Sequence, residues 1–101
     1  MNNKKALSIL GLAQKARAVA SGNFQVEEAV RSGAAKLVII ATDASENAKR
    51  DISNITFHYG VPVYKFGDRG TLGHAIGKQE RVTAAILSEG LAASFAKALE
   101  E

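Results

Sequence analysis

A glycine-rich segment near the C-terminal third is the first part of this sequence to examine for chemistry. Gly73–Gln79 reads GHAIGKQ and approaches the phosphate-binding pattern G-x-x-x-x-G-K-[ST]. Its two glycines are one residue too close together, and Gln79 replaces the hydroxyl that would bind a metal ion. The segment also begins inside a predicted helix rather than after a strand. It therefore does not predict a nucleotide-binding loop.

The other residues that could carry catalysis are two histidines and two pairs of adjacent glutamates. His58 and His74 lie in different predicted elements, without the spacing of a metal site. We expect His58 at a helix end beside Tyr59, and His74 exposed on a short helix. Glu27–Glu28 and Glu100–Glu101 are neighbours in sequence, and neighbouring helical residues point in different directions. The sequence predicts no catalytic site, no metal and no cofactor, so an enzyme is disfavoured.

Composition is that of one ordinary globular domain spanning residues 1–101. The chain is 47% hydrophobic and 23% charged, which is typical of a protein with one modest core. It has no cysteine, and this fits a reducing cytoplasm. No apolar run suits a signal peptide or is long enough to cross a bilayer. We expect a cytoplasmic protein without a membrane partner.

Positive charge is concentrated at the N-terminus. The net charge is +3, and residues 1–26 contain no acid. On a helix, Lys4 and Lys15 would share one face with Ser8 and Gly11. This face is either an ordinary solvated surface or part of a positive surface for a polyanion. Charge alone does not decide between the two.

Helical and extended segments alternate along the chain. Leu37–Ala41 is an unbroken apolar run, typical of a strand that is buried on both faces. Asp43 and Ser45 both suit an N-cap, and Asp43-x-x-Glu46 resembles a capping box. The predicted helices are Lys4–Arg17, Asn23–Ser32, one from Asp43 or Ser45 to about Phe57, Thr71–Ile76 capped by Asp68, and one starting at Ser88. The predicted extended segments are Ala18–Ser21, Lys36–Thr42, Val61–Phe66 and Arg81–Ser88.

This alternation favours an α/β fold with helices on both faces of a central sheet. We predict a three-layer α/β/α sandwich with a small mixed sheet of about four strands.

An ordered series of glycine and apolar positions runs through nearly the whole chain. It comprises Gly22, Val26, Ala29-Val30, Gly33, Ala35-Lys36-Leu37-Val38-Ile39-Ile40-Ala41, Asp43-Ala44, Val61-Pro-Val, Leu72-Gly-His-Ala-Ile-Gly77 and the apolar strand after Arg81. In this order the positions resemble the L-seven-Ae family of ribosomal RNA-binding proteins. Leu10–Arg17 and Phe66–Arg69 look most like its small bacterial YlxQ-type members.

The resemblance implies an α/β/α sandwich that binds kink-turn RNA, a sharply bent helix–bulge–helix element with tandem sheared G·A pairs. In the family, the start of the second helix enters the groove at those pairs. Backbone amides there meet phosphate, and polar side chains meet guanine edges. The physics agrees, because a helix N-terminus offers free N–H groups and a positive dipole end. Gly22 has no side chain to block a close approach.

The chain departs from the family pattern Gly-x-Asn-Glu-x-x-Lys at three positions of its segment Gly22–Glu28. Gln25 replaces glutamate and keeps an acceptor oxygen. Glu28 replaces a basic residue, so it either repels phosphate or pairs with Arg31. Phe24 replaces asparagine, and it either covers apolar surface at the helix start or stacks on an extruded base.

The remaining family contacts come from charged loops, where each residue could instead be an ordinary surface charge. Arg69 matches a position that is basic in relatives, Lys78–Arg81 forms the loop over the bulged nucleotides, and Lys36 follows the second helix. Together these correspondences imply an RNA interface made of Gly22, Asn23, Phe24, Gln25, Glu28, Arg31, Lys36, Arg69, Lys78, Gln79, Glu80 and Arg81.

Two hypotheses follow. The first is a non-catalytic, monomeric protein of the ribosomal type that binds structured RNA. The second is a protein-interaction module of the same fold that has lost specific RNA binding, and it is motivated by Phe24 and Glu28.

Overall fold

A computed structural model describes residues 1–101 and contains five helices and four strands. The helices are α1 (Asn3–Lys15), α2 (Asn23–Arg31), α3 (Glu46–Tyr59), α4 (Arg69–Ala75) and α5 (Glu89–Glu100). The strands are β1 (Val19–Ser21), β2 (Leu37–Ile40), β3 (Val63–Lys65) and β4 (Thr83–Ile86). None of the helices is long and apolar enough to cross a membrane.

The four strands form one mixed sheet in the order β1-β4-β2-β3. Strands β2 and β3 are parallel, whereas β4 is antiparallel to both of its neighbours, β1 and β2. Helices also cover both faces of this sheet. The predicted α/β/α sandwich with a small mixed sheet is therefore confirmed.

Strand β2 explains why the sheet needs helices on both faces. Its four residues are all buried, and successive side chains of a strand point to opposite faces. Leu37 and Ile39 pack into a core with α1, α4 and α5. Val38 and Ile40 pack into a second core with α2 and α3. The two cores fix the position of α2 against the sheet.

Four of the five helices begin at a side chain that caps a backbone amide. The capping residues are Asn2, Ser45, Asp68 and Ser88. Only α2 has no such side chain, because Gly22 is its N-cap residue. The interpretation of Asp43 as an N-cap is wrong, since the Ser45 hydroxyl accepts the Ala48 amide at 3.1 Å.

Helix α4 starts at Arg69, two residues earlier than predicted. Gly73 therefore lies inside a helix, and the segment Gly73–Gln79 lacks the strand–loop–helix context that a phosphate-binding loop requires.

Strand directions bring four chain segments to one end of the sheet. Strands β1, β2 and β3 end there, and β4 begins there, because Ser21 pairs with Ala84, and Ile40 pairs with both Thr83 and Lys65. We call this the α2 end. The residues at this end are Gly22 and the start of α2, Thr42 and Asp43, the loop that leads into α4, and the loop 77–82.

Candidate functional site

Gly22 has a backbone conformation that only glycine adopts easily. Its φ is 87° and its ψ is 150°, a region that is essentially restricted to glycine. The amide of Gly22 donates to the Thr83 carbonyl at 3.1 Å, which fixes the turn to β4. A Cβ added at Gly22 would meet no atom within 4 Å. The space beside Gly22 is open to a ligand.

The first turn of α2 leaves its backbone donors free. No side chain caps the helix, and the amides of Asn23, Phe24 and Gln25 have no acceptor in the structure. These three N–H groups lie at the positive end of the helix dipole. A helix start of this kind, beside the open space at Gly22, has donors suited to an anion.

The side chain of Asn23 is partly occupied inside the protein. Its Oδ1 accepts the hydroxyl of the buried Thr83 at 2.9 Å. Asn23 therefore ties the start of α2 to β4 across 60 residues of sequence. Thr83 has a positioning role that the sequence did not reveal, because nothing local marks it.

Loop 77–82 packs tightly on α4. The Lys78 amide donates to the Gly73 carbonyl at 2.8 Å, and the Arg81 amide donates to the Arg69 carbonyl at 3.1 Å. A Cβ on Gly73 would lie 1.7 Å from the Gln79 carbonyl oxygen. The absence of a side chain at Gly73 thus lets the loop approach the helix. Lys78, Gln79 and Glu80 of this loop are exposed at the α2 end.

The guanidinium of Arg81 bridges the loop and β1. Its Nη1 donates to the Glu80 carbonyl at 2.9 Å, and its Nε donates to the Ser21 hydroxyl at 3.4 Å. An open cleft of about 390 Å³ lies beside it, between the loop and the start of α2. Arg81 therefore places a fixed positive charge at the wall of this cleft.

Arg69 is oriented by Asp43. The Asp43 carboxylate accepts the Arg69 amide at 3.0 Å and its Nε at 3.3 Å. The terminal Nη groups of Arg69 make no hydrogen bond in the structure, and the side chain is about half exposed. A guanidinium has five N–H donors, so this pairing leaves donors available to a phosphate.

Asp68 fixes the start of α4 next to Arg69. Its carboxylate accepts the Thr71 amide at 2.7 Å. That hydrogen bond is the largest of the effects that lower the pKa of Asp68 from its ordinary value of 3.8. The cap is therefore charged at neutral pH.

Arg31 lies near the C-terminal end of α2, away from the helix start. Its guanidinium pairs with Glu27 and with Glu28, each at 3.2 Å. Of the two interpretations of Glu28, the structure therefore shows the ion pair with Arg31. The same pairing reduces the availability of Arg31 to a phosphate.

Lys36 lies at the opposite end of the sheet. Its amide pairs with the Ile86 carbonyl, and its Nζ donates to the Gly33 carbonyl at 3.2 Å. Five residue steps along β2 separate Lys36 from Ala41, or roughly 16 Å. The structure does not bring Lys36 together with the other candidate residues, because a residue that follows α2 enters the sheet at its far end.

The Phe24 side chain is 77% exposed. The interpretation that it covers apolar surface at the helix start is therefore wrong. The inward face of α2 is formed by Val26, Ala29 and Val30, and Phe24 projects away from it.

The comparisons with known proteins agree with this architecture. The family model described as "Ribosomal protein L7Ae/L30e/S12e/Gadd45 family" matches residues 4–96. The chain belongs to this family. The predicted family resemblance is confirmed.

Two curated relatives in this family carry the name "RNA-binding protein YlxQ". The relative from Bacillus subtilis (strain 168) is 38% identical over 92 residues, covering 91% of this chain and 92% of its own. The relative from Enterococcus faecium is 32% identical over 81 residues, covering 80% of this chain and 79% of its own.

Two solved structures share the fold. A Bacillus halodurans protein of unknown function is 39% identical with a TM-score of 0.92, covering 96% of this chain and 98% of its own. The Giardia lamblia 15.5kD RNA binding protein is 24% identical with a TM-score of 0.80, covering 96% of this chain and 83% of its own. At that identity the Giardia protein supports the fold alone.

Proposed function

We propose that this chain binds structured RNA, and specifically a kink-turn with tandem sheared G·A pairs, without catalysing a reaction. The start of α2 contacts the RNA at those pairs. The loop leading into α4 and loop 77–82 contact the backbone on either side. The family membership and the names of two relatives support RNA as the partner.

The observation that carries the proposal is the uncapped N-terminus of α2. The other four helices each satisfy a first-turn amide with a side chain. Helix α2 instead has free amides beside a glycine with open space around it. Free N–H groups and a positive dipole end stabilise a phosphate, and a missing side chain lets the backbone come close.

The charges around this helix start favour a polyanion. Arg69 and Arg81 are held in place by hydrogen bonds, and Lys78 is exposed on the loop between them. The two acids of α2, Glu27 and Glu28, are both paired with Arg31. Specific polar contacts and shape, rather than a readable major groove, are the usual basis of RNA recognition.

The class of RNA, the cellular location and the oligomeric state complete the proposal. We take the RNA to be of the ribosomal kind and the protein to act in the cytoplasm as a monomer. The family description supports a ribosomal RNA, and the absence of cysteine fits a reducing cytoplasm. The monomer is the default oligomeric state.

A three-probe binding assay tests the proposal at one fixed salt concentration. The probes are a model kink-turn, the same RNA with its sheared G·A pairs replaced by Watson–Crick pairs, and an unbent duplex of equal length. Kink-turn binding at least about tenfold tighter than binding to either control supports the proposal. Equal binding to all three with a steep salt dependence leaves only general electrostatic attraction, and it favours the protein-interaction hypothesis.

A further inference from the structure

We propose that Phe24 is an RNA-contacting residue that stacks on one unpaired nucleobase of the bound RNA. This inference rests on the proposed RNA-binding function and adds how this chain reads its target. Phe24 would contact the face of a base, where a polar side chain would contact a base edge.

The position of Phe24 separates it from the protein core. It is the second residue of α2, and its side chain is 77% exposed. Asn23 is turned toward the sheet, where its Oδ1 accepts the Thr83 hydroxyl. Val26 begins the buried face of the helix. Phe24 therefore presents its ring to solvent directly beside the free amides and the open space at Gly22.

The chemistry of the neighbouring groups indicates a nucleotide as the occupant. A nucleotide carries a phosphate and an aromatic base on one unit. The free amides of α2 suit the phosphate, and an exposed aromatic ring suits the face of a base. Gly22, Asn23 and Arg81 line the 390 Å³ cleft at the helix start, where the adjoining backbone can continue.

Phenylalanine has no hydrogen-bonding group, so it cannot read a guanine edge. Gln25 is exposed in the first turn of α2, and its side-chain amide can do so. Every base has an aromatic face, and stacking is tolerant of sequence. We therefore expect the stacked position of the RNA to accept any of the four bases but not the loss of the base.

Substitutions of Phe24 test the aromatic face directly. Stacking contributes enough that Phe24→Ala weakens kink-turn binding roughly 5- to 150-fold. Phe24→Trp retains native affinity because it keeps an aromatic face. Phe24→Leu binds like Phe24→Ala, since leucine is apolar but has no such face. Native binding by Phe24→Leu would contradict stacking.

Phe57 supplies a matched control. It is the same residue type, is 89% exposed, and lies in the last turn of α3 rather than at the α2 end. Phe57→Ala should leave RNA affinity unchanged. Both alanine variants remove an exposed ring, so neither should weaken the core, and circular dichroism and urea unfolding confirm this. An equal loss of affinity in both variants would overturn the assignment of Phe24.

Abasic substitution identifies the stacked nucleotide. Each unpaired position of the kink-turn is made abasic in turn, and native protein is compared with Phe24→Ala. At one position the abasic RNA should bind both proteins equally weakly, because ring and base form one contact. If no position abolishes the difference, Phe24 does not stack on a base.

The outcomes for Phe24 and for the proposed function are distinguishable. A native protein that prefers the kink-turn while Phe24→Ala binds equally well keeps the function and overturns the stacking. A native protein that binds kink-turn and duplex equally fails the proposed function, and the role of Phe24 fails with it. In that case the exposed ring belongs to a protein contact.

Discussion

Gly73→Ala is the substitution whose consequence the structure defines most sharply. The new Cβ would lie 1.7 Å from the Gln79 carbonyl oxygen and 2.6 Å from its carbonyl carbon. Real Cβ atoms essentially never approach within 3.0 Å of another heavy atom. Relieving the first contact alone requires loop 77–82 to move about 1.3 Å, the difference between 3.0 and 1.7 Å. The neighbouring atoms are backbone, so no side-chain rotation can relieve the overlap.

Two destabilising effects and one stabilising effect determine the change in the free energy of unfolding. Overpacking costs about 1–3 kcal/mol, and weakening the two loop hydrogen bonds adds about 1 kcal/mol. The better helix propensity of alanine offsets about 1 kcal/mol. We expect a net loss of about 2 kcal/mol, which lowers the Tm by roughly 8–16 °C in a domain of this size. RNA affinity should also fall, because Lys78 and Arg81 move with the loop.

Gly70→Ala is the matched control in the same helix. The nearest atom to its added Cβ is the Asp68 Oδ1 at 3.5 Å, an ordinary contact. This variant should be neutral or slightly more stable than the native protein. Urea unfolding and thermal scans of the native protein and both variants measure the difference. Equal stability of Gly73→Ala and Gly70→Ala would refute the close packing of the loop on α4.

Three further predictions concern single residues of the site. Arg69→Gln should weaken RNA binding and reduce the slope of log affinity against log salt by about 0.7–0.9. Lys36→Gln, at the other end of the sheet, should leave the slope unchanged. Equal effects of the two substitutions in salt titrations would contradict RNA binding at the α2 end. Gly22→Ala should destabilise the fold by about 1–3 kcal/mol, because alanine does not easily adopt a φ of 87° with a ψ of 150°. If Gly22→Ala unfolds in urea like the native protein, this position does not require glycine. The lowered pKa of Asp68, caused first by the Thr71 amide, stabilises the fold above the ordinary value of 3.8, and this stabilisation is lost as the pH falls through the lowered pKa. The difference in urea midpoint between the native protein and Asp68→Asn should therefore shrink as the pH is lowered below about 4, and a constant difference would argue against the cap.

The fold was predictable because its signals are local. The apolar run Leu37–Ala41 identifies the central strand, and Gly22 and Gly33 bound α2 to within two residues. Alternation of helices and strands then leaves few ways to bury the sheet.

Features of the site that depend on distant residues were not predictable. Asp43 suits a helix cap by its sequence, yet it binds Arg69 across 26 residues. Lys36 follows α2 directly, yet the direction of β2 places it at the opposite end of the sheet. The exposure of Phe24 depends on which face of α2 meets the sheet, so the sequence left two interpretations open.

Mapping the RNA on the protein tests the central claim most directly. Backbone amide resonances are followed by NMR as kink-turn RNA is added, with the unbent duplex as control. Binding at the α2 end predicts the largest changes at the amides of Asn23, Phe24 and Gln25, with further changes at Arg69 and in loop 77–82. Largest changes at the opposite end of the sheet, near Lys15, Arg17 and Lys36, would contradict RNA binding at the α2 end. The same changes with the duplex would contradict recognition of the kink-turn.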